Sequence, residues 1–249
     1  MTTPTQLPTL LAICVLLSLA SSNSAAPPAQ PAAAPAPIDP ALLKRLTEID
    51  SRASQIKTLS ADFEQKKFTA LLRRPLVSSG QVKVKGATMR WDTEKPEPTV
   101  MVVGEKTVQI YYPAQKTVEE YTLDQRLAEL AASPLPRLGV LKDRFAIVEI
   151  APHDIDPKAD PQKTLALKLT PIEKELADHV QEVRVLLDIG GGYIVQAEFT
   201  DADGDRTVIQ FRNIAANADV GDLELKVPPG TKFTRPLEGM KDLPPARSK

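Results

Sequence analysis

Few side chains in this 249-residue chain combine the type and spacing that catalysis or metal binding requires. Ser54-Gln55-Ile56-Lys57 has the serine-x-x-lysine spacing of penicillin-binding enzymes. The Ser-Asp-Asn and Lys-Thr-Gly elements that complete such a site are missing from the sequence, so the match is read as chance. His153 and His179 are the only histidines, and a metal or nucleophile site built on them would need partners converging from distant strands. His153-Asp154-Ile155-Asp156 lies among prolines and reads as a solvated loop. Asp201-Ala202-Asp203-Gly204-Asp205 looks at first like a calcium loop. Its glycine is fourth instead of sixth, however, and Arg212 stands where a bidentate glutamate should be, so a hairpin turn is expected. No phosphate-cradling glycine loop and no GxSxG elbow occur. The residues therefore point away from an enzyme, and neither cofactor nor metal is expected.

Composition narrows the partners. With 31 Lys+Arg against 32 Asp+Glu, the chain lacks the basic excess of a nucleic-acid binder. The doublets Lys66-Lys67 and Arg73-Arg74 read as a solvated face and a loop. Aromatic residues make up only 4%, so aliphatic side chains must build any core or cavity. The first 26 residues carry no charged side chain, and Leu10 to Ala20 form an apolar run too short to span a bilayer but right for an export signal, expected over residues 1–24. The single cysteine, Cys14, lies inside that run behind the bulky Ile13, which argues against lipoprotein processing there. A chain cleaved after the signal would have no cysteine and no disulfide. Residues 25–38, almost entirely Ala and Pro, read as a linker. The expected product is exported, soluble and free of thiols.

The elements that must position any site follow from periodicity. Asp39-Pro40 starts a helix, and Leu42, Leu46, Ile49, Ala53 and Ile56 step by four and three, predicting one apolar stripe along about five turns. Residues 59–69 alternate as a strand. Residues 80–123 then hold four or five short strand-like runs, with Val82, Val84, Met89, Trp91, Val108, Ile110 and Tyr112 alternating against polar neighbours. Two short helical patches interrupt the strands and are candidates for a lid: 123–131, with Leu127 and Leu130 on one face, and 137–142. Strands are predicted again at 145–150, 164–170, 180–188, 193–200 and 206–214, with hairpin turns at Gly190-Gly191-Gly192 and Asp203-Gly204. This order predicts an α+β domain with one large curved antiparallel sheet, over residues 39–235, followed by a disordered tail over 236–249.

One ordered set of short motifs stands out: Leu59-Ser60-Ala61-Asp62-Phe63-Glu64-Gln65, Ser79-Gly80, Met89-Arg90-Trp91-Asp92, Val103-Gly104-Glu105-Lys106-Thr107 before Tyr111-Tyr112-Pro113, and Gly204-Asp205-Arg206-Thr207 before Phe211-Arg212-Asn213. Together with the export signal and first helix, this order resembles the LolA family of periplasmic lipoprotein carriers. The resemblance implies an unclosed antiparallel β-barrel covered by an N-terminal helix and short lid helices, enclosing an apolar cavity. It also implies a monomeric periplasmic carrier that accepts acylated lipoprotein cargo from an inner-membrane ABC transporter, shields the acyl chains, and passes them to an outer-membrane acceptor. At about 0.8 kcal/mol per buried CH₂, shielding an acyl chain needs a long aliphatic lining. The candidates are Val82, Val84, Met89, Trp91, Met101, Val108, Ile110, Leu127 and Leu130. The family's lid-latching arginine, aligned through Trp91, is replaced by Lys85, with Arg90 an alternative. Strand parity turns both away from the apolar row unless Gly86 marks a bulge. A second function compatible with the same fold is a periplasmic sensor or interaction module for acylated protein or lipid.

Overall fold

Strict alternation of apolar and polar side chains gives each strand one face that must be hidden from water, and a helix with a single apolar stripe is suited to cover it. The computed structural model describes residues 38–122, 134–136 and 138–236. The expected export signal, nearly all of the linker, the 123–131 helix with Leu127 and Leu130, and the tail beyond 236 lie outside the described residues.

Helix α1 (Pro40–Ala53) buries Leu42, Leu46, Ile49 and Ala53. The Asp39 carboxylate caps it, accepting from the Ala41 and Leu42 amides at 2.9 and 3.0 Å. It is shorter than the apolar spacing predicts. The amides of Gln55 and Ile56 bond three residues back to Arg52 and Ala53, which tightens the chain into a turn and leaves Ile56 beyond the helix. The strands are β1 (Thr58–Phe68), β2 (Leu76–Lys85), β3 (Thr88–Lys95), β4 (Thr99–Val103), β5 (Thr107–Tyr112), β6 (Thr117–Thr122), β7 (Phe145–Ile150), β8 (Thr164–Pro171), β9 (Val180–Asp188), β10 (Tyr193–Asp201), β11 (Arg206–Ala216) and β12 (Lys232–Thr234). Helices α2 (Leu138–Arg144) and α3 (Lys174–Ala177) interrupt them.

All twelve strands form one sheet in the order β12-β6-β5-β4-β3-β2-β1-β11-β10-β9-β8-β7. Two antiparallel meanders, β1 to β6 and β7 to β11, are joined by pairing of β1 with β11 from Leu59 opposite Ala216 to Phe68 opposite Arg206. The sheet is unclosed, with β7 and β12 at its edges. It is mixed where the sequence predicted only antiparallel pairs, because β12 lies parallel to β6. That strand belongs to a C-terminal segment that crosses the outer side of the first meander. Its carbonyls accept from Thr58 Oγ1 at Ala218 (2.6 Å), Lys85 Nζ at Gly221 (3.4 Å) and Arg90 at Glu224 (2.9 Å), and Val220 and Leu223 are buried along it.

Two glycines hold close approaches. A Cβ on Gly80 would lie 2.0 Å from the Asp92 carbonyl oxygen, beside the register shift between Ser79 and Gly80. Gly192, at φ +72°, places the β9–β10 turn against the end of α1, where a Cβ would meet Ala53 N at 2.9 Å. Gly80→Ala is expected to destabilise the fold by on the order of 3 kcal/mol, because backbone must move to admit the methyl; a urea unfolding midpoint measures it. Gly139→Ala, within α2 with open space around its Cβ site, is expected to be neutral or to stabilise by up to about 1 kcal/mol in the same assay.

Candidate functional site: an apolar floor beneath the first helix

Register carries the side chains of one parity into rows that run across the sheet. One row passes through Ala61, Val82, Trp91, Met101 and Ile110 to Glu119, and the next through Leu59, Val84, Met89, Val103 and Val108 to Tyr121. The seven described cavity candidates, Val82, Val84, Met89, Trp91, Met101, Val108 and Ile110, all stand in these rows. All are buried in one cluster with Leu42, Leu46 and Ile49 of α1. The helix therefore lies on the floor that the sheet supplies.

The second meander contributes as much. Leu167, Val185, Ala197 and Ile209 form a comparable row, and Leu165, Leu187, Leu169 and Val183 belong to the same cluster. These residues lie outside the candidates read from 80–123 and the lid, although the alternation of 164–170 and 180–188 marks their strands. At the seam, the Trp91 ring packs edge-on against Phe63 (centroids 4.7 Å apart) and tilted against Phe211 (5.9 Å). Trp91 is 4% exposed, and its Nε1 is buried without a hydrogen-bond partner among the described residues. A buried donor left unsatisfied costs about 1–3 kcal/mol.

The first row ends in a polar group that the sequence reading did not single out. Glu119 Oε2 accepts hydrogen bonds from Tyr121 Oη (2.8 Å) and Tyr112 Oη (3.2 Å). Burial, and then the Glu119 carboxylate, push both phenols well above their ordinary range. The alternation of Tyr112 was visible; its pairing with Glu119 depends on the β5–β6 register.

The two latch candidates face the other way. Lys85 pairs in register with Thr58 and Thr88, and Gly86, at φ +59°, sits in the turn without shifting parity. Lys85 and Arg90 therefore project from the convex side, where they hold the C-terminal segment, and Arg90 also forms an ion pair with Asp92 at 2.8 Å. A latch on the concave side would need the opposite parity.

The other candidate chemistry disperses. Ser54 Oγ donates to the Ser51 carbonyl, while Lys57 Nζ donates to the Ser54 carbonyl at 3.4 Å, so no serine–lysine dyad forms. Asp201 accepts from the amides of Asp203 (3.1 Å) and Asp205 (2.9 Å), with Gly204 at φ +85°, which is a hairpin turn. Burial raises the Asp201 carboxyl above its usual range. His153 lies in a short 3-10 turn and His179 lines a small hollow with Asp201 and Asp205, so the two do not converge. Among the described residues no cluster of three or more His, Cys, Asp or Glu could hold a metal ion, and no helix is long and apolar enough to cross a membrane.

Comparison with known proteins bears on this arrangement. An outer-membrane lipoprotein carrier protein of Azotobacter vinelandii is 29% identical over 208 residues, covering 80% of this chain and 91% of that protein. Among solved structures, an uncharacterized conserved protein from Thermus thermophilus aligns with a TM-score of 0.48 at 12% identity, over 78% of this chain and 99% of that one. A putative outer membrane lipoprotein-sorting protein domain from Vibrio parahaemolyticus gives 0.40 at 15% identity, over 72% and 94%. Residues 54–226 match the family model described as outer membrane lipoprotein carrier protein LolA. That match takes in more than half of the chain, including every strand of the apolar floor, and the chain belongs to the LolA family.

Proposed function

We propose that the protein is a periplasmic carrier that shields the acyl chains of lipoproteins, or of a related acylated lipid, and moves them from the inner to the outer membrane. The observation that carries this reading is the continuous aliphatic floor under the amphipathic helix α1, with Leu138 and Leu141 of α2 packed against the same cluster, in a member of a family described as lipoprotein carriers. Such a floor matches acyl chains chemically, because burial of CH₂ groups is non-directional and scales with apolar area. In the described conformation α1 occupies the floor, so cargo enters by displacing it. Among the described residues the polar ties that resist are Arg45 to Glu149 (2.6 Å), Arg52 to the Ile189 carbonyl (2.9 Å) and the Leu138 amide to Asp50 (2.9 Å). An exposed ion pair contributes only about 0–1 kcal/mol, so the cover is held mainly by the same apolar contacts that cargo would replace. Trp91 Nε1, without a partner among the described residues, offers a donor that a carbonyl of an acyl ester or amide would satisfy.

On this reading the chain acts as a monomer without catalytic chemistry. Residues 1–24 direct export, and residues 25–38 hold the new N-terminus clear of the domain. An inner-membrane ABC transporter supplies cargo and an outer-membrane acceptor receives it.

Trp91 is the only tryptophan, which makes the floor directly observable. Acyl chains brominated along their length are expected to quench its fluorescence strongly on binding. Saturating ligand without quenching would place the chains elsewhere. In a reconstituted assay, the protein is expected to release lipoprotein from inner-membrane vesicles in proportion to its concentration. Stable binding with no release would favour a sensor over a carrier.

A further inference from the structure

The connection between β1 and β2, residues 69–75, lies at the end of the sheet away from the exit of α1, since Thr58 pairs with Lys85 at one end and Lys67 with Leu76 at the other. It and the start of β2 expose large apolar side chains that the floor does not use. Leu71 is 91% exposed, Leu72 46%, Leu76 37% and Val77 45%. Between them stand Arg73 and Arg74, both exposed, and among the described residues neither forms a salt bridge. The neighbouring cations are neutralised within the fold, Lys66 by Glu64 at 2.8 Å and Lys67 by Asp205 at 3.6 Å. Among the described residues, the charge left without an ion-pair partner at this tip is thus that of two arginines set among leucines.

A solvated turn would carry Gly, Asn, Asp or Ser at its tip. Aliphatic side chains with adjacent cations instead fit an anionic lipid surface, where apolar groups enter the boundary below the headgroups and cations meet phosphates. A protein partner fits less well, since a projecting tip without aromatic side chains offers little surface for complementary packing. We propose that the β1–β2 tip docks on an anionic phospholipid bilayer, with Leu71 and Leu72 entering the interface and Arg73 and Arg74 pairing with lipid phosphates. This contact is separate from the acyl floor and goes beyond the carrier reading, bringing the carrier itself to the membrane surface.

The test is co-sedimentation of the full chain with cargo-free vesicles of phosphatidylethanolamine and phosphatidylglycerol, against vesicles of phosphatidylcholine alone. Binding is expected to the anionic vesicles and to weaken at high salt. Arg73→Ser with Arg74→Ser is expected to lower affinity about 25–30-fold, the equivalent of about 1 kcal/mol per arginine. Leu71→Asp with Leu72→Asp is expected to abolish binding. All four positions are exposed, so each variant should keep the unfolding midpoint of the parent and its Trp91 quenching by brominated acyl chains. Failure of the acyl reading would remove quenching and leave vesicle binding intact, which separates the two ideas. The proposal is overturned if the parent binds no vesicles, if it binds neutral and anionic vesicles equally, or if the variants bind as the parent does. Cross-linking of a probe at Leu71→Cys to a protein, without vesicle binding, would assign the tip to a protein partner and overturn it as well.

Discussion

The pairing of β1 with β11 holds the architecture together, because each meander is by itself a half-sheet with one apolar face and too little to cover it. These two strands are each eleven residues long, and their ladder brings the chain's first strand beside the last strand of the second meander. Joining them turns two narrow sheets into a surface wide enough to curve around a helix. The seam also gathers the aromatic side chains Phe63, Trp91 and Phe211 at the middle of the floor. Because these contacts are distant in sequence, making the seam costs more chain entropy than making a local hairpin, and the floor exists only where the seam is formed.

The curved sheet then divides labour between its faces. The concave side is mainly aliphatic, and α1 lies on it, with Leu138 and Leu141 of α2 packed against the same cluster. Much of the convex side is polar and hydrogen-bonded: Gln196 bonds to the Ile155 carbonyl (3.2 Å) and to Glu198 (3.0 Å), and Gln210 bonds to Gln196 (3.0 Å). Lys85 and Arg90 belong to this outer side, where they bind the C-terminal segment over the first meander. That segment ends in β12, which pairs with β6 and occupies what would otherwise be an open edge. A concave face that can trade one apolar partner for another, on a back braced by directional bonds, is a workable design for holding flexible hydrocarbon. The floor needs no specific geometry toward each CH₂ group, whereas the brace fixes the shape that makes burial possible.

Much of this was legible residue by residue. The step of Leu42, Leu46, Ile49 and Ala53 named the helix and its buried stripe, and the alternation of Val82 with Val84, Met89 with Trp91 and Val108 with Ile110 named the floor of the first meander. Periodicity is local, set by 3.6 residues per helical turn and two per strand repeat, so it survives in the sequence alone. Parity even gave the facing of Lys85 and Arg90, and the structure agrees with parity over the latch that the family resemblance suggested. The shortening of α1 before Ile56 was not legible, because an apolar residue one turn past the cap fits the same pattern whether or not the helix reaches it.

What only the tertiary structure decided is everything that depends on which strand meets which. The equal share of the second meander in the floor, the Tyr112–Glu119–Tyr121 group, the parallel β12 and the exposure of Leu71 and Leu72 all follow from pairings between residues far apart in the chain. A sequence determines the face each side chain takes within its own element, since that is fixed by backbone geometry over a few residues. It does not by itself display the partner across that face, since the partner is selected by the combined burial of all twelve strands at once.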